Sequence, residues 1–233
     1  MKKFELTSEF VTFLGKKLFR IKALVEFGNV EAGELGGYIE KEENLSQSGN
    51  AWVYGDAWVC GDAWVYGDAW VCGDARVYGN ARVYGNARVY GNARVYGNAR
   101  VYGDARVYGD ARVYGDAWVY GDAWVYDNAE VYGDARVYGD ARVYGNAEVY
   151  GDAWVYGNAD YAYAHGFGSC FRTTTFFRLK DGGVGVRCGC FYGTLQEFRD
   201  KVRETHKNTK KAREYLMLAN LMELRFSKEG MEE

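Results

Sequence analysis

Between Gly49 and Tyr156 apolar and polar positions recur in blocks of six, Gly-[Asp/Asn]-Ala-[Arg/Trp/Glu]-Val-[Tyr/Cys], and the stretch divides into 18 such units. Within each unit the order Ala-x-Val-x has the period of two that buries one face of a strand. Ala and Val are therefore expected to point inward and the residues flanking Val outward. Gly followed by Asp or Asn breaks the strand, because Gly tolerates positive φ and Asx side chains hydrogen-bond their local backbone. Each unit predicts one short strand and one corner. A fixed short period predicts a solenoid, in which no unit buries its apolar face alone and stacking supplies the core.

The flanks lack the period. An open solenoid exposes an unpaired strand at each end, so residues 1–48 are expected to form an N-terminal β cap. Lys3 to Phe13 and Leu18 to Phe27 predict two strands around Gly15-Lys16-Lys17, followed by a Gly-rich stretch from Gly33 to Gly37. Residues 49–156 form the rod and residues 157–233 a C-terminal cap. Past the last unit the Val position becomes Tyr161 and then Phe167, rings expected to plug the narrow core. Thr173–Leu179 and Val184–Phe191 predict a hairpin about Asp181-Gly182-Gly183. Thr194-Leu195-Gln196-Glu197 reads as a capping box opening a helix with Leu195, Phe198 and Val202 as its apolar stripe. A second helix is expected from about Thr209 to Phe226. Its Leu216, Ala219 and Leu221 to Leu224 exceed what one buried face needs, leaving surface for the hairpin or another subunit.

The segment Val53-Tyr54-Gly55-Asp56-Ala57-Trp58, and every later unit, resembles the hexapeptide-repeat left-handed parallel β-helix, with Asp127 in place of Gly the lone corner departure. The resemblance implies a mainly β fold of about six triangular coils, three units to a coil, closed by an N-terminal β cap and a C-terminal ββαα cap. At three units per coil the outward residues fall into columns. One runs Trp58, Arg76, Arg94, Arg112, Glu130, Glu148; another Trp52, Trp70, Arg88, Arg106, Trp124, Arg142; the third Trp64, Arg82, Arg100, Trp118, Arg136, Trp154. Tyrosines form a column beside each, interrupted only at Cys60 and Cys72.

These columns hold the candidate binding residues: Arg76, Arg94 and Arg112 with Tyr78, Tyr96 and Tyr114 beside them, and Trp118 and Trp154. Interleaved arginines and rings can track phosphates and stack bases, and they are equally the residues enriched at protein interfaces. Glu130 and Glu148 end the arginine run with the opposite sign. A formal net charge of −3 gives neither general attraction to DNA nor acidic mimicry of it.

Candidate chemistry is sparse. The hexapeptide family implies acyl transfer from an acyl-CoA donor, with a His base beside a loop that interrupts the coils at a trimer junction. Here no unit is interrupted, the repeats hold no His, and His165 is the alternative base. A γ-class carbonic anhydrase site needs three zinc-bound histidines; His165 and His206 cannot supply it. A zinc set could be drawn from Cys170, Cys188, Cys190 and His206, although Cys188-Gly-Cys190 is a strand-like spacing and not a Cys-x-x-Cys knuckle. No cofactor is expected. Five cysteines without framework spacing fit a reducing cytosol, and neither a membrane span nor a secretory segment is read.

Beyond the repeats, Leu35-Gly36-Gly37-Tyr38-Ile39-Glu40, Thr173-Thr174-Thr175-Phe176-Phe177 and Cys188-Gly189-Cys190-Phe191-Tyr192-Gly193-Thr194-Leu195 resemble the ends of small proteins encoded in prophages and mobile elements of gut Firmicutes. The resemblance implies a phage-borne accessory protein in the bacterial cytoplasm. The reading is a non-enzymatic interaction protein, dimeric or trimeric, that binds, inhibits or sequesters a host protein, a nucleotide signal or nucleic acid through the Arg/Trp/Tyr columns or the C-terminal cap. An acyltransferase and a structural rod are the alternatives.

Overall fold

The computed structural model describes residues 2–13, 15–168 and 171–227. Strands β1 (Phe4–Phe13) and β2 (Lys16–Ala23) form an antiparallel hairpin that turns at Gly15, whose φ of 77° is open to glycine. β3 (Leu35–Ile39) pairs antiparallel with β2 and parallel with the rod, Tyr38 opposite Trp58 and Ile39 opposite Val59. The rod follows as β4 to β21, two-residue rungs that recur once per unit from Trp52–Val53 to Trp154–Val155.

Each rung from β4 to β18 pairs in parallel with the rung three units on, as Arg76 with Arg94 and Arg94 with Arg112, so the columns read from the sequence are the walls of a parallel β-solenoid. Three walls result. One carries β3 and six rungs behind the hairpin, giving nine strands, and the other two carry six rungs each. Backbone bonds repeat along the axis: Arg76 N–H donates to Ala93 O at 2.9 Å and Tyr78 N–H to Val95 O at 3.0 Å. Corners add to the ladder, Asn80 N–H reaching Gly97 O at 2.8 Å. The corner glycines need their left-handed backbone. At Gly97 φ is 71°, and an added Cβ would stand 3.0 Å from the backbone nitrogen of Gly115. Asp127 holds the same conformation at φ 59°, and its carboxylate accepts from Gly145 N–H at 3.2 Å.

Inside the rod all repeat alanines and valines are buried, so the core is a column of small side chains. Its ends are wider. Trp52 is fully buried at the N-terminal end, with Phe4 and Phe27 packed edge-on against it at 6.1 and 5.3 Å. Lys3 crosses this plug, its ammonium donating to Ala51 O at 2.8 Å and lying 4.7 Å from the Phe27 ring; burial holds its pKa down at about 8. At the other end Tyr161 and Phe177 join the rod core. Phe167 does not: it packs with the C-terminal cap, because the rod ends at β21 and Phe167 already belongs to the next sheet.

That cap is an antiparallel sheet, β22 (Tyr161–Phe167), β23 (Arg172–Arg178), β24 (Val184–Cys188) and β25 (Phe191–Thr194), in that order. The expected hairpin is its inner pair, turning where Asp181 Oδ1 accepts from Gly183 N–H at 2.9 Å. Two further strands flank it, because Tyr161–Phe167 leaves the rod as strand and Phe191–Thr194 adds an edge before the helix. Neighbours on β23 face opposite ways: Phe177 enters the rod core and Phe176 the helix-covered core. Helices α1 (Leu195–His206) and α2 (Lys210–Phe226) cover that second face. The capping box forms, Thr194 N–H donating to Glu197 Oε2 at 2.7 Å and Glu197 N–H to Thr194 Oγ1 at 3.3 Å. Arg199 ties the helices together, donating to Glu223 Oε2 at 2.6 Å and Asn220 Oδ1 at 3.0 Å.

Candidate functional site

The nine-stranded wall gathers six of the sequence-predicted residues. Arg76, Arg94 and Arg112 project from successive rungs, and Tyr78, Tyr96 and Tyr114 stack beside them with ring centroids 4.8 Å apart and planes within 2°. The three guanidinium groups differ in what they touch. Arg76 lies over the Trp58 ring at 4.6 Å, with Phe13 of the hairpin at 5.9 Å. Arg112 donates to Glu130 Oε1 at 3.1 Å. Arg94 stands between them, and no ion pair or ring stack among the described residues engages it.

The acidic end of this wall is held from within. Tyr114 donates its hydroxyl to Glu130 at 2.9 Å and Tyr132 donates to Glu148 at 3.1 Å, while Arg187 of β24 donates to Glu148 at 3.0 Å. Partial burial raises both phenol pKa values, and the carboxylates raise them further, so these tyrosines stay protonated donors. The outward row thus runs three cations, two anions and the Arg187 cation, on a flat ribbed surface.

Trp118 and Trp154 stand on a different wall and are not part of that row. Arg136 lies between them, 4.7 Å from one ring and 5.2 Å from the other, with Arg100 on the far face of Trp118 at 4.8 Å. On the third wall Arg106 and Arg142 sandwich Trp124, each at 4.8 Å. Each such contact on an exposed surface contributes about 0.5–1 kcal/mol, so these rings and cations stiffen the rod.

Charge is also banded along the axis, a feature the columns do not reveal. Residues 50–75 hold four Asp and no base; residues 75–103 hold five Arg and no acid; residues 118–135 hold four acids and no base. With three units to a coil, each block becomes a belt around the rod. The signal was the exchange of Asp for Asn at corners 80, 86, 92 and 98. Those amides ladder where carboxylates would repel, Asn80 Nδ2 donating to Asn98 Oδ1 and Asn98 Nδ2 to Asp116 Oδ1, both at 3.0 Å.

His165 sits on β22, exposed, with Nδ1 3.0 Å from Thr173 Oγ1. It lines a shallow groove with Glu130, Glu148 and Arg172. Of the alternative zinc ligands, Cys188 and His206 line one cavity in the cap, Cys190 is exposed, and Cys170 lies outside the described residues. Among the described residues no group of three or more metal-capable side chains converges. Of the surplus apolar residues on α2, Leu221 and Leu224 reach solvent at 55% and 68% exposure while Ala219 and Met222 are buried and Leu216 packs on the cap core; Met217, 71% exposed, joins the two leucines at spacing i, i+4, i+7. No helix among the described residues is long and apolar enough to cross a membrane.

The family model described as the YdcK beta solenoid repeat matches eight segments, 75–91, 87–103, 93–109, 99–112, 105–121, 111–127, 129–145 and 141–157. All lie within the solenoid, so the match and the rung register agree that this is a repeat β-solenoid protein. No curated protein matches the chain.

Proposed function

We propose that the protein is a non-enzymatic interaction protein whose solenoid is a rigid scaffold and whose wall of Arg76, Arg94 and Arg112 docks a protein partner. The observation that supports this is the charge order of that wall. A uniform polyanion would gain from the arginines and be repelled by the next two rungs at Glu130 and Glu148, whereas a folded partner can carry acid opposite base along the whole row. Arg94 is the centre of the patch, since its guanidinium has no ion pair among the described residues to exchange. Arginine and tyrosine side by side supply the large, desolvated contacts that dominate interfaces. The setting of the proposal is a bacterial cytoplasm, with a host factor as the partner of a phage-borne accessory protein. Self-association belongs to the same proposal, through the exposed Met217–Leu221–Leu224 face of α2.

Native mass spectrometry of the protein recovered gently from a bacterial host lysate tests the reading. A stoichiometric protein partner is expected with the wild type and should be lost at least tenfold with Arg76→Ala, Arg94→Ala and Arg112→Ala combined, the rod remaining folded. Equal recovery with the triple variant moves the contact away from this wall. A bare homo-oligomer in both samples rejects the partner.

A further inference from the structure

The C-terminal cap encloses a cavity of about 270 Å³ between the four-stranded sheet and α1, and none of the contacts on the arginine wall involves it. Its floor is aromatic. Phe198 and Tyr215 are buried and meet edge to face at 5.8 Å, and Phe191 packs on Phe198 at 5.5 Å. Three nitrogen bases ring the mouth: Arg172 from β23, Lys201 and His206 from α1. Among the described residues no carboxylate lines the cavity. His206 lies nearly parallel to Tyr215 at 5.8 Å and 23°, extending the aromatic surface toward the mouth.

Each cation is placed by a separate local cause. Arg172 lies against Gly189, whose φ of 58° and missing side chain leave the space; a Cβ there would collide with the Arg172 guanidinium. Lys201 lines the cavity and its ammonium donates to Glu204 Oε2 at 2.8 Å, an exposed pair whose carboxylate is not among the lining residues and with which an anion at the mouth competes. Val202, on the buried stripe of α1, sets the helix against the floor. A cavity with an apolar aromatic floor and a few convergent polar groups is the usual form of a small-molecule site, and this one is slightly smaller than the roughly 300–1,000 Å³ of drug-sized pockets, which suits a single-ring ligand. An anion inside would be desolvated on one side and needs paired donors, which the forked guanidinium and the ammonium supply.

We infer that this cavity binds a small planar organic anion, a single aromatic ring carrying one phosphate or carboxylate, with the ring on Phe198 and Tyr215 and the anionic group at Arg172 and Lys201. This goes beyond the wall contact and does not depend on it. Cys188 makes the site readable. Its half-buried thiol lines the cavity and accepts a hydrogen bond from Thr174 Oγ1 at 3.1 Å, so an occupant would shield it.

The test uses the full chain with phenyl phosphate, benzoate and inorganic phosphate as probes. Calorimetry should show one saturable site for phenyl phosphate or benzoate, with inorganic phosphate at least tenfold weaker because it cannot use the floor. Arg172→Gln and Lys201→Gln, both exposed positions, should each weaken binding about tenfold while leaving the circular dichroism spectrum unchanged. In parallel, iodoacetamide labelling of Cys188, mapped by peptide mass, should slow at least fivefold with saturating probe while Cys190 labels at an unchanged rate. Absence of saturable binding by both ring-bearing probes overturns the inference, as does binding that survives both substitutions or leaves Cys188 labelling unaltered.

Discussion

The rod and its C-terminal cap bury apolar surface in opposite ways. The rod repeats one Ala and one Val per unit, all buried, so its core is uniform, its partners are always three units away, and nothing larger than a valine fits between its plugs. The cap builds its core from Phe176, Phe198, Tyr215, Met222 and Phe226, which come from one strand and two helices and do not tile. Large irregular side chains leave a cavity where small repeated ones leave none. The rod therefore presents its outer faces, while the cap can enclose something. The outer faces are also largely committed to themselves, through tyrosine stacks, arginine–tryptophan sandwiches and the Glu130 and Glu148 contacts, so that Arg94, like Arg82 on another wall, is left without such a contact among the described residues.

The largest expected contrast is in core truncation. Phe198→Ala removes a ring from the centre of the cap and should cost about 3–5 kcal/mol. Val107→Ala in mid-rod removes two methyl groups and should cost roughly 2 kcal/mol. Denaturant unfolding followed by far-ultraviolet circular dichroism measures both, and the first should shed helix signal before the rod melts. Equal costs with one shared transition would show that rod and cap unfold as a single unit.

Next in size is the corner. Gly97→Ala places a Cβ in the left-handed region and against the next coil, and should cost about 1–2 kcal/mol in the same measurement. A cost near zero would mean that the corner relaxes and that stacking, not glycine, holds the coil spacing.

Alkaline pH separates the ends from the faces. Lys3 titrates near 8 when folded, below its ordinary value near 10.5, so the folded chain binds fewer protons in that window and stability rises as pH rises through it. Tyr78, Tyr96 and Tyr102 have folded pKa values raised above 10 by burial within the stacks, so above pH 10 the folded chain holds its protons more tightly and stability falls. Burial also holds the Cys60 and Cys72 thiols above their ordinary value near 9, which opposes the Lys3 effect above that pH. Melting temperature should therefore climb from pH 8 toward 9, level off and then drop above pH 10, with tyrosinate absorbance appearing together with unfolding. Lys3→Met should flatten the rising limb alone.

The smallest effect on folding separates length from register. Deleting residues 127–144 removes one coil, joins Tyr126 to Gly145 in register and leaves Arg76, Arg94 and Arg112 on successive rungs, so the melting temperature should move by only a few degrees. Deleting residues 85–90 keeps the same core but shifts all later rungs by one wall, breaking up the Arg76–Arg94–Arg112 row. Both variants should fold, and only the shorter deletion should lose the partner in native mass spectrometry. Loss in both would mean that rod length is being measured.

Much of this was legible from a chain read one unit at a time. The strand, the corner and the inward Ala and Val follow from six adjacent residues, and the helix start at Thr194 follows from its capping box. The outward columns needed one added number, three units per coil, supplied by resemblance and met by the rung pairing. The flanking strands β22 and β25 were harder, since Tyr161–Phe167 and Phe191–Thr194 are short and follow no period. Their pairing with β23 and β24 is a tertiary outcome.

The letters of the repeat alone specify the rod, its inward face, its corners and the sign of each belt, because each of these depends on contacts that recur identically at a constant spacing. Folding alone decided what the non-repeating ends became. It set Trp52 under Phe4 and Phe27, gave Phe176 and Phe177 opposite cores, and brought Arg172, Cys188, Lys201 and His206 around one cavity. Those groups are distant along the chain and follow no period, so only the packing of α1 on the sheet brings them together.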